Sequence, residues 1–269
     1  MGVLDGQVAF ITGGGTGIGL GCARTVAADG ATVVLAARNV DRLEAAADDL
    51  RAEGAAVAVA ACDVTDEASV EAALAHAAVV GPLTMVVANA GFGSGGPFHL
   101  TTLDAWSSVL ATNLTGAFLT MKHAAPHLAR QGGGSIVAVS SIAGAVTHRY
   151  MTPYDVSKAG LEMLVRQVAD ELGAVGIRAN AVRPGLVPTD ATAPMMSMPD
   201  IVDDYLAQMP LGRVGTTADV AHLVRFLLGP ESSWITGTCI SVDGGHHLRR
   251  GPNIEPVMQM LFPDTLRPG

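Results

Sequence analysis

Short, almost uninterrupted apolar runs recur along the chain, and the segments between them carry apolar residues at helical spacing. The runs near 7–12, 31–36, 56–61, 84–88, 134–140, 177–182 and 238–242 predict strands, and the intervals between them predict helices. Thr32-Val-Val-Leu-Ala36 and Ile136-Val-Ala-Val139 lack the polar alternation of a half-exposed strand, so both faces of the sheet are expected to lie under helices. Seven strands separated by helices predict an α/β architecture built on a doubly wound, seven-stranded parallel sheet. No low-complexity linker or sequence repeat divides the chain.

Several helix starts can be read from local chemistry. Thr101-Thr-Leu-Asp104 and Thr216-Thr-Ala-Asp219 have the form of capping boxes, and Thr152-Pro153-Tyr154-Asp155 puts proline at a first helical position. The last of these sets Tyr154 in the first turn of a helix whose apolar face continues through Leu161, Leu164, Val165, Val168 and Leu172. Two stretches show no clear element. Residues 189–209 carry Met195, Met196 and Met198 among prolines and acids, which suits either a mobile flap lining an apolar substrate pocket or an ordinary surface helix and loop. Residues 246–269 form an extension beyond the main unit of residues 1–245. Its Ile254, Val257, Met258, Leu261 and Phe262 predict docking on this subunit or on a neighbour.

Composition narrows the range of partners. The chain has 269 residues, 49% hydrophobic and 15% charged, with a formal net charge of -9, which argues against a nucleic-acid backbone or an anionic membrane as partner. Cys22, Cys62 and Cys239 are scattered and form no Cys-x-x-Cys pair, so neither a disulfide framework nor a zinc site is expected. His246-His247 lacks a third ligand at useful spacing, and no metal is expected. The absence of a basic leader or a membrane-length apolar run predicts a cytoplasmic protein.

Gly13, Gly17 and Gly19 follow the first predicted strand and open a helix, where backbone N–H groups can approach a pyrophosphate at the positive helix end. A nucleoside-triphosphate loop is excluded, because Leu20 stands where lysine is needed. At the end of the second strand, Leu35-Ala-Ala-Arg38 has no acid at Ala37 to hold the ribose hydroxyls of NAD, and Arg38 suits the 2′-phosphate of NADP. NADP is therefore expected, with NAD possible, since Thr16 supplies no second cation.

Tyr154 and Lys158 are four residues apart and share one helix face, so an ammonium can sit near the phenol. Proton exchange by tyrosine near neutrality calls for about 4 kcal/mol of differential stabilisation of the phenolate, which a nearby cation helps to supply. A serine just upstream, in Val-Ala-Val-Ser-Ser, offers a hydroxyl to orient a substrate oxygen, and strand alternation alone does not choose between Ser140 and Ser141.

With these pieces in place, the chain resembles the short-chain dehydrogenase/reductase family across residues 5–245. Thr12-Gly-Gly-Gly-Thr-Gly-Ile-Gly19, which includes Thr16 and Ile18, is similar to the family's cofactor loop. Asp63-Val64 is similar to its adenine-contacting pair, and Asn89-Ala90-Gly91 to the motif closing the fourth strand. Pro184-Gly185, with Val187 and Thr189, is similar to the loop that fixes the nicotinamide carboxamide. Ser141 keeps the family's distance to the tyrosine, and Asn113, Ser141, Tyr154 and Lys158 make up a tetrad.

The resemblance implies a single-domain Rossmann fold, commonly assembled as a homotetramer. It implies Tyr154 as general acid/base, Ser141 orienting the substrate oxygen and Lys158 lowering the tyrosine pKa while holding the nicotinamide ribose. Asn113 is implied to support a proton-carrying water. The tyrosine-to-lysine spacing is that of the family's ketone reductases, not its enoyl reductases. The leading expectation is an NADP(H)-dependent ketone/alcohol oxidoreductase for a small or medium apolar substrate. A 3-oxoacyl thioester reductase would bring basic residues to the pocket mouth, with Arg130, His148 and Arg149 as candidates. A non-catalytic dinucleotide sensor or scaffold is the alternative from another class.

Overall fold

The computed structural model describes residues 2–264; the end of the predicted extension, 265–269, lies outside the described residues. The seven strands are β1 (Val8–Thr12), β2 (Thr32–Ala37), β3 (Val57–Ala61), β4 (Leu83–Ala88), β5 (Gly134–Val139), β6 (Ile177–Pro184) and β7 (Cys239–Val242). The helices are α1 (Gly17–Ala28), α2 (Val40–Ala52), α3 (Glu67–Val80), α4 (Leu103–Leu110), α5 (Gly116–Arg130), α6 (Thr152–Leu172), α7 (Ala193–Met196), α8 (Pro199–Gln208), α9 (Thr217–Leu228) and α10 (Glu255–Leu261). All strand pairs are parallel, in the order β3-β2-β1-β4-β5-β6-β7, so the winding reverses between β1 and β4. A crevice opens outside the carboxyl ends at such a reversal.

The apolar runs are continuous because each strand feeds two cores. In β1, Val8 and Phe10 pack beneath α3, α5 and α6, while Ala9 and Ile11 pack beneath α1, α2 and α9. In β2, Val34 and Ala36 take the first side, Val33 and Leu35 the second. Each such valine, leucine, isoleucine or phenylalanine contributes about 1.5–3 kcal/mol when fully buried. The predicted strands are all present with ends shifted by a residue or two. β6 runs furthest beyond expectation because its pairing with β7 continues to Pro184, opposite Val242.

The Thr216 box forms as expected: Thr216 Oγ1 accepts from the Asp219 N–H at 3.1 Å, and Asp219 Oδ2 accepts from the Thr216 N–H at 2.7 Å. The box expected at Thr101 does not form. Thr101 Oγ1 donates to the Pro97 carbonyl at 3.3 Å, closing the preceding turn, and Thr102 caps α4 by accepting from the Ala105 N–H. α6 begins one residue earlier than expected, with Pro153 in its first turn and Tyr154 third. Between α4 and α5, residues Ala111–Thr115 form one π turn, an insertion that often marks functional positions.

Residues 189–209 fold as α7 and α8, and the extension docks on them within the same subunit. Leu186, Ile201, Tyr205 and Met209 join Ile254 and Met258 of the extension in a third, small core, with Met195, Met196 and Met198 at its margin. This core is separate from the two that cover the sheet. Deleting residues 253–269 is expected to leave the sheet's thermal midpoint nearly unchanged while amide exchange in α8 accelerates at least tenfold, measured by hydrogen-exchange mass spectrometry. Unchanged exchange in α8 would show that the extension does not hold it.

Candidate active site

A cleft of about 290 Å³ lies at the carboxyl edge of the sheet, between the glycine loop and the α7–α8 flap. Gly13 and Gly17 adopt left-handed backbone (φ 64° and 53°), which L side chains rarely adopt. Thr16 caps α1 without a side-chain bond, and the first turn of α1 holds no acid, so the helix end and one hydroxyl are free to meet an anion. Beneath them Thr12 Oγ1 accepts from the N–H groups of Asn89 and Ala90 at 3.0 and 3.1 Å. Asn89 Nδ2 donates to the carbonyls of Thr12 at 2.9 Å and Gly13 at 3.3 Å. Asn89 thus braces the loop through Nδ2 and also lines the cleft. Gly19 is buried under Gly13, and a Cβ there would strike both the Gly13 carbonyl and Asn89. Ile18, Ala90, Gly91, Pro184, Gly185, Val187 and Thr189 line the cleft as well.

The ends of β2 and β3 lie beyond this lining. Arg38 is exposed, with no hydrogen bond or ion pair among the described residues. Asp63 Oδ1 accepts from the N–H and hydroxyl of Thr65, and these bonds, with the Arg38 charge, hold its carboxyl below the usual range. The side chain of Val64 belongs to the core, packed against Gly116. Sequence reading missed the ion pair between Arg42 of α2 and Asp190 of the flap, which spans the cleft's outer side.

The structure separates the two serines. Both border the cleft, but Ser140 is buried and donates to Glu162 Oε1 at 3.0 Å, whereas Ser141 accepts from the Ala143 N–H at 3.1 Å and hydrogen-bonds Tyr154. Lys158 Nζ lies 5.6 Å from the centre of the Tyr154 ring and donates to the Val139 carbonyl at 2.8 Å. Burial pushes the Tyr154 phenol up, opposed by its bond to Ser141, and pushes Lys158 down to about 8, opposed by Glu162. That net shift is led by desolvation of the phenolate and leaves the expected role of Lys158 as it stands. The ammonium sits over the ring and is tied to the Val139 carbonyl.

Asn113 lies in the π turn and is buried. Its Oδ1 accepts from the Phe92 N–H at 3.0 Å, and its Nδ2 donates to the Phe92 carbonyl and to Ser157 Oγ at 2.9 and 3.0 Å. Asn113 thereby fixes the chain after Gly91 through Phe92 and ties it to α6 through Ser157.

Other residues here were not foreseen. Glu162, one helical turn beyond Lys158, is buried and forks onto Arg183 of β6, with Nε at 2.6 Å. This pair, bonded to Ser140, ties the strand end carrying Ser141 to the helix carrying Tyr154 and Lys158. The i, i+4 spacing from Lys158 was the available signal; the partner on β6 had none. His148, raised as a pocket-mouth candidate, and Met195, expected of a flap, line the cleft together with Met151 and Tyr205, which had no sequence signal. Of the residues considered for a basic pocket mouth, Arg130 ends α5 at the opposite edge of the sheet, beside His127, and Arg149 pairs with Glu255. No group of three or more side chains suited to a metal occurs among the described residues, nor a helix long and apolar enough to cross a membrane.

A glycine cradle at the winding reversal, with a serine, a tyrosine and a lysine at its inner end, defines a dinucleotide-binding α/β enzyme. Residues 13–247 match a family model described as "Enoyl-(Acyl carrier protein) reductase". The galactitol 2-dehydrogenase (L-tagatose-forming) of Cereibacter sphaeroides is 37% identical over 248 residues, 90% of this chain and 96% of that protein. A short-chain type dehydrogenase/reductase from Mycobacterium ulcerans superposes with a TM-score of 0.94 at 38% identity, covering 97% of each chain. A 7 alpha-hydroxysteroid dehydrogenase solved with NADH and 7-oxo glycochenodeoxycholic acid gives 0.87 at 34% identity, covering 90% of this chain and 94% of that one. The chain belongs to the short-chain dehydrogenase/reductase family and is an NAD(P)-dependent oxidoreductase of CH–OH groups.

Asp155, beside Tyr154, accepts from the His148 N–H at 2.7 Å through Oδ2, while Oδ1 is buried without a partner among the described residues, and burial pushes the carboxyl up to about 7. A folded pKa above the ordinary value of 3.8 means the folded state holds this proton more tightly. Its contribution to stability is full below about pH 4 and is lost as pH rises through about 7. Urea denaturation is expected to show a smaller loss of stability between pH 5 and pH 8 in Asp155→Asn than in the parent. Equal losses would mean the carboxyl is solvated.

Proposed function

We propose that the chain interconverts a ketone and a secondary alcohol with NADP(H), using Tyr154 as general acid/base. The observation that carries this reading is the meeting of Ser141, Tyr154 and Lys158 at the inner end of a glycine-lined cleft. The nicotinamide, when bound, supplies or accepts the hydride. Gly13, Gly17 and the amino end of α1, with Thr16, would hold its pyrophosphate, and the loop from Pro184 to Thr189 its carboxamide end.

The chain's own groups deal with the proton and the oxygen. Ser141 donates to the substrate oxygen and fixes its place. Tyr154, neutral in its buried setting, gives its proton to that oxygen as the alcohol forms, and takes it back in oxidation. Lys158, held by Val139 and braced through Glu162, sets positive charge beside the phenol. Asn113 keeps the Gly91–Phe92 backbone in place at the cleft floor.

Three residues between Tyr154 and Lys158 favour carbinol chemistry over the enoyl reduction named by the family model's description. The positions of Arg130 and Arg149 give no support to a carrier-bound thioester substrate, and an intact tetrad argues against a purely sensing role. Exposed Leu103, Phe118, Val156 and Met163 on α4, α5 and α6 supply an apolar face that supports assembly into a homotetramer.

Tyr154→Phe is expected to lower kcat by about 10²–10⁴-fold with NADPH affinity nearly unchanged, checked by stopped-flow turnover and fluorescence titration. Turnover at the parent rate would sink the mechanism. Arg38→Ala is expected to weaken NADPH binding by about 10–100-fold and NADH binding little, from the loss of one charge-assisted bond to phosphate. Equal effects on both cofactors would return the preference to NAD.

A further inference from the structure

We propose that His148 and Tyr205 form a polar subsite that holds a second, uncharged hydroxyl of the substrate, remote from the reacting carbon. The inference rests on the oxidoreductase reading above and names the class of substrate for that site: hydroxyketones and the diols they correspond to, in preference to plain ketones or keto acids.

The case begins with the His148 ring. Its backbone N–H donates to Asp155 Oδ2, and its Nδ1 lies 2.9 Å from the Val146 carbonyl, which can only accept. Nδ1 must therefore carry the proton, leaving Nε2 as a bare lone pair. Burial and the neighbouring His246 hold the ring's pKa below its ordinary value, so it stays neutral at pH 7. His148 is 5% exposed and lines the cleft, and among the described residues Nε2 has no hydrogen-bond partner. The loop that delivers it is held in strained form: Tyr150, two residues on, takes a left-handed φ of 71° and its carbonyl accepts from the Gly96 N–H at 2.7 Å.

Tyr205 of α8 lines the same cleft, and its ring and that of His148 both lie beside His246, with centroids 5.4 and 6.3 Å away. It too is 5% exposed, and its hydroxyl has no hydrogen-bond partner among the described residues, whereas a buried phenol ordinarily finds one. The ring is set edge-on against His246 of the extension, with centroids 5.4 Å apart and planes at 84°. His246 is in turn fixed by a bond between Nε2 and the Arg250 carbonyl at 2.9 Å. The extension thereby positions one half of the subsite without entering it.

The two atoms are complementary to a hydroxyl: Nε2 accepts its hydrogen, and the Tyr205 hydroxyl donates to its oxygen. They do not suit an anion. Among the described residues Lys158 is the only lysine or arginine lining the cleft and is tied to Val139, and Asp190 at the rim is neutralised by its pairing with Arg42. Met151, Met195 and Leu186 make the remaining wall apolar, so the body of the substrate between its two oxygens is expected to be hydrocarbon.

The test compares cyclohexanone, 4-hydroxycyclohexanone and 4-oxocyclohexanecarboxylate with NADPH, in the parent protein and in His148→Leu and Tyr205→Phe. The expected kcat/KM ratio of hydroxyketone to cyclohexanone is at least ten in the parent, carried by KM, with the carboxylate poorest. Each substitution is expected to bring that ratio close to one. Tyr205→Phe removes a single oxygen and keeps the ring packing, so it reports even where His148→Leu fails to fold. A parent ratio near one, a ratio unchanged in Tyr205→Phe, or a preference for the carboxylate overturns the subsite while leaving the oxidoreductase reading intact. If none of the three is turned over with either cofactor, none is a substrate and turnover says nothing of the subsite. The subsite is then judged by calorimetry on the cofactor-loaded protein: tighter binding of cyclohexane-1,4-diol than of cyclohexanol, lost in Tyr205→Phe, supports it, and equal binding overturns it.

Discussion

A sheet whose strands all run one way, with both faces sealed by helices, leaves a single edge where reactive groups can gather. Every other feature of this protein depends on that constraint. Backbone groups along β1, β4, β5 and β6 are paired with their neighbours until the strands end, and there the N–H groups of the glycine loop, the Ser141 hydroxyl and the Pro184–Gly185 turn come free together. The winding reversal between β1 and β4 parts the flanking loops at that edge and makes room for a ligand.

Precision at the edge comes from polar groups buried behind it. Glu162 and Arg183 hold each other where neither meets bulk water freely, and Ser140 completes the carboxylate's bonding. Taking two charges into a protein interior is costly unless the geometry is good and the remaining lone pairs are met. Here the pair joins three elements at one point: the end of β5, the middle of α6 and the end of β6. Ser141 is adjacent to one anchor and Lys158 lies one turn from another, so the relative placement of hydroxyl, phenol and ammonium is set by atoms that never touch a ligand.

What the amino-acid order revealed follows the range of the forces involved. The strands were legible because burial on both faces leaves only apolar choices, and Gly13 and Gly17 because left-handed backbone leaves little choice but glycine. The tyrosine–lysine relation is local to one helix and was equally plain. Ser140 and Ser141 were indistinguishable by alternation, since the choice rests on Glu162, twenty-odd positions away. The cap at Thr102 was misplaced by one residue because a turn at Pro97 claims the Thr101 hydroxyl. The flap and the extension gave no clear element, for each supplies only part of a core: the extension's apolar residues announced docking, but not that Ile254 and Met258 would find Ile201 and Tyr205, some fifty residues back. The tyrosine's raised pKa was missed because spacing reports a neighbour's charge and is silent on desolvation.

The third core has a consequence for how such a protein can change. Its side chains are distinct from those that hold the sheet together, and it reaches the cleft wall through Leu186 and Tyr205, with Met151 and Met195 at its margin. Scaffold and recognition are thus separable loads. A substitution in α8 or α10 strains a half-dozen contacts instead of the whole fold, and the cavity it reshapes is the one that selects the compound. Novelty in substrate is inexpensive here, while the chemistry at the sheet edge stays fixed.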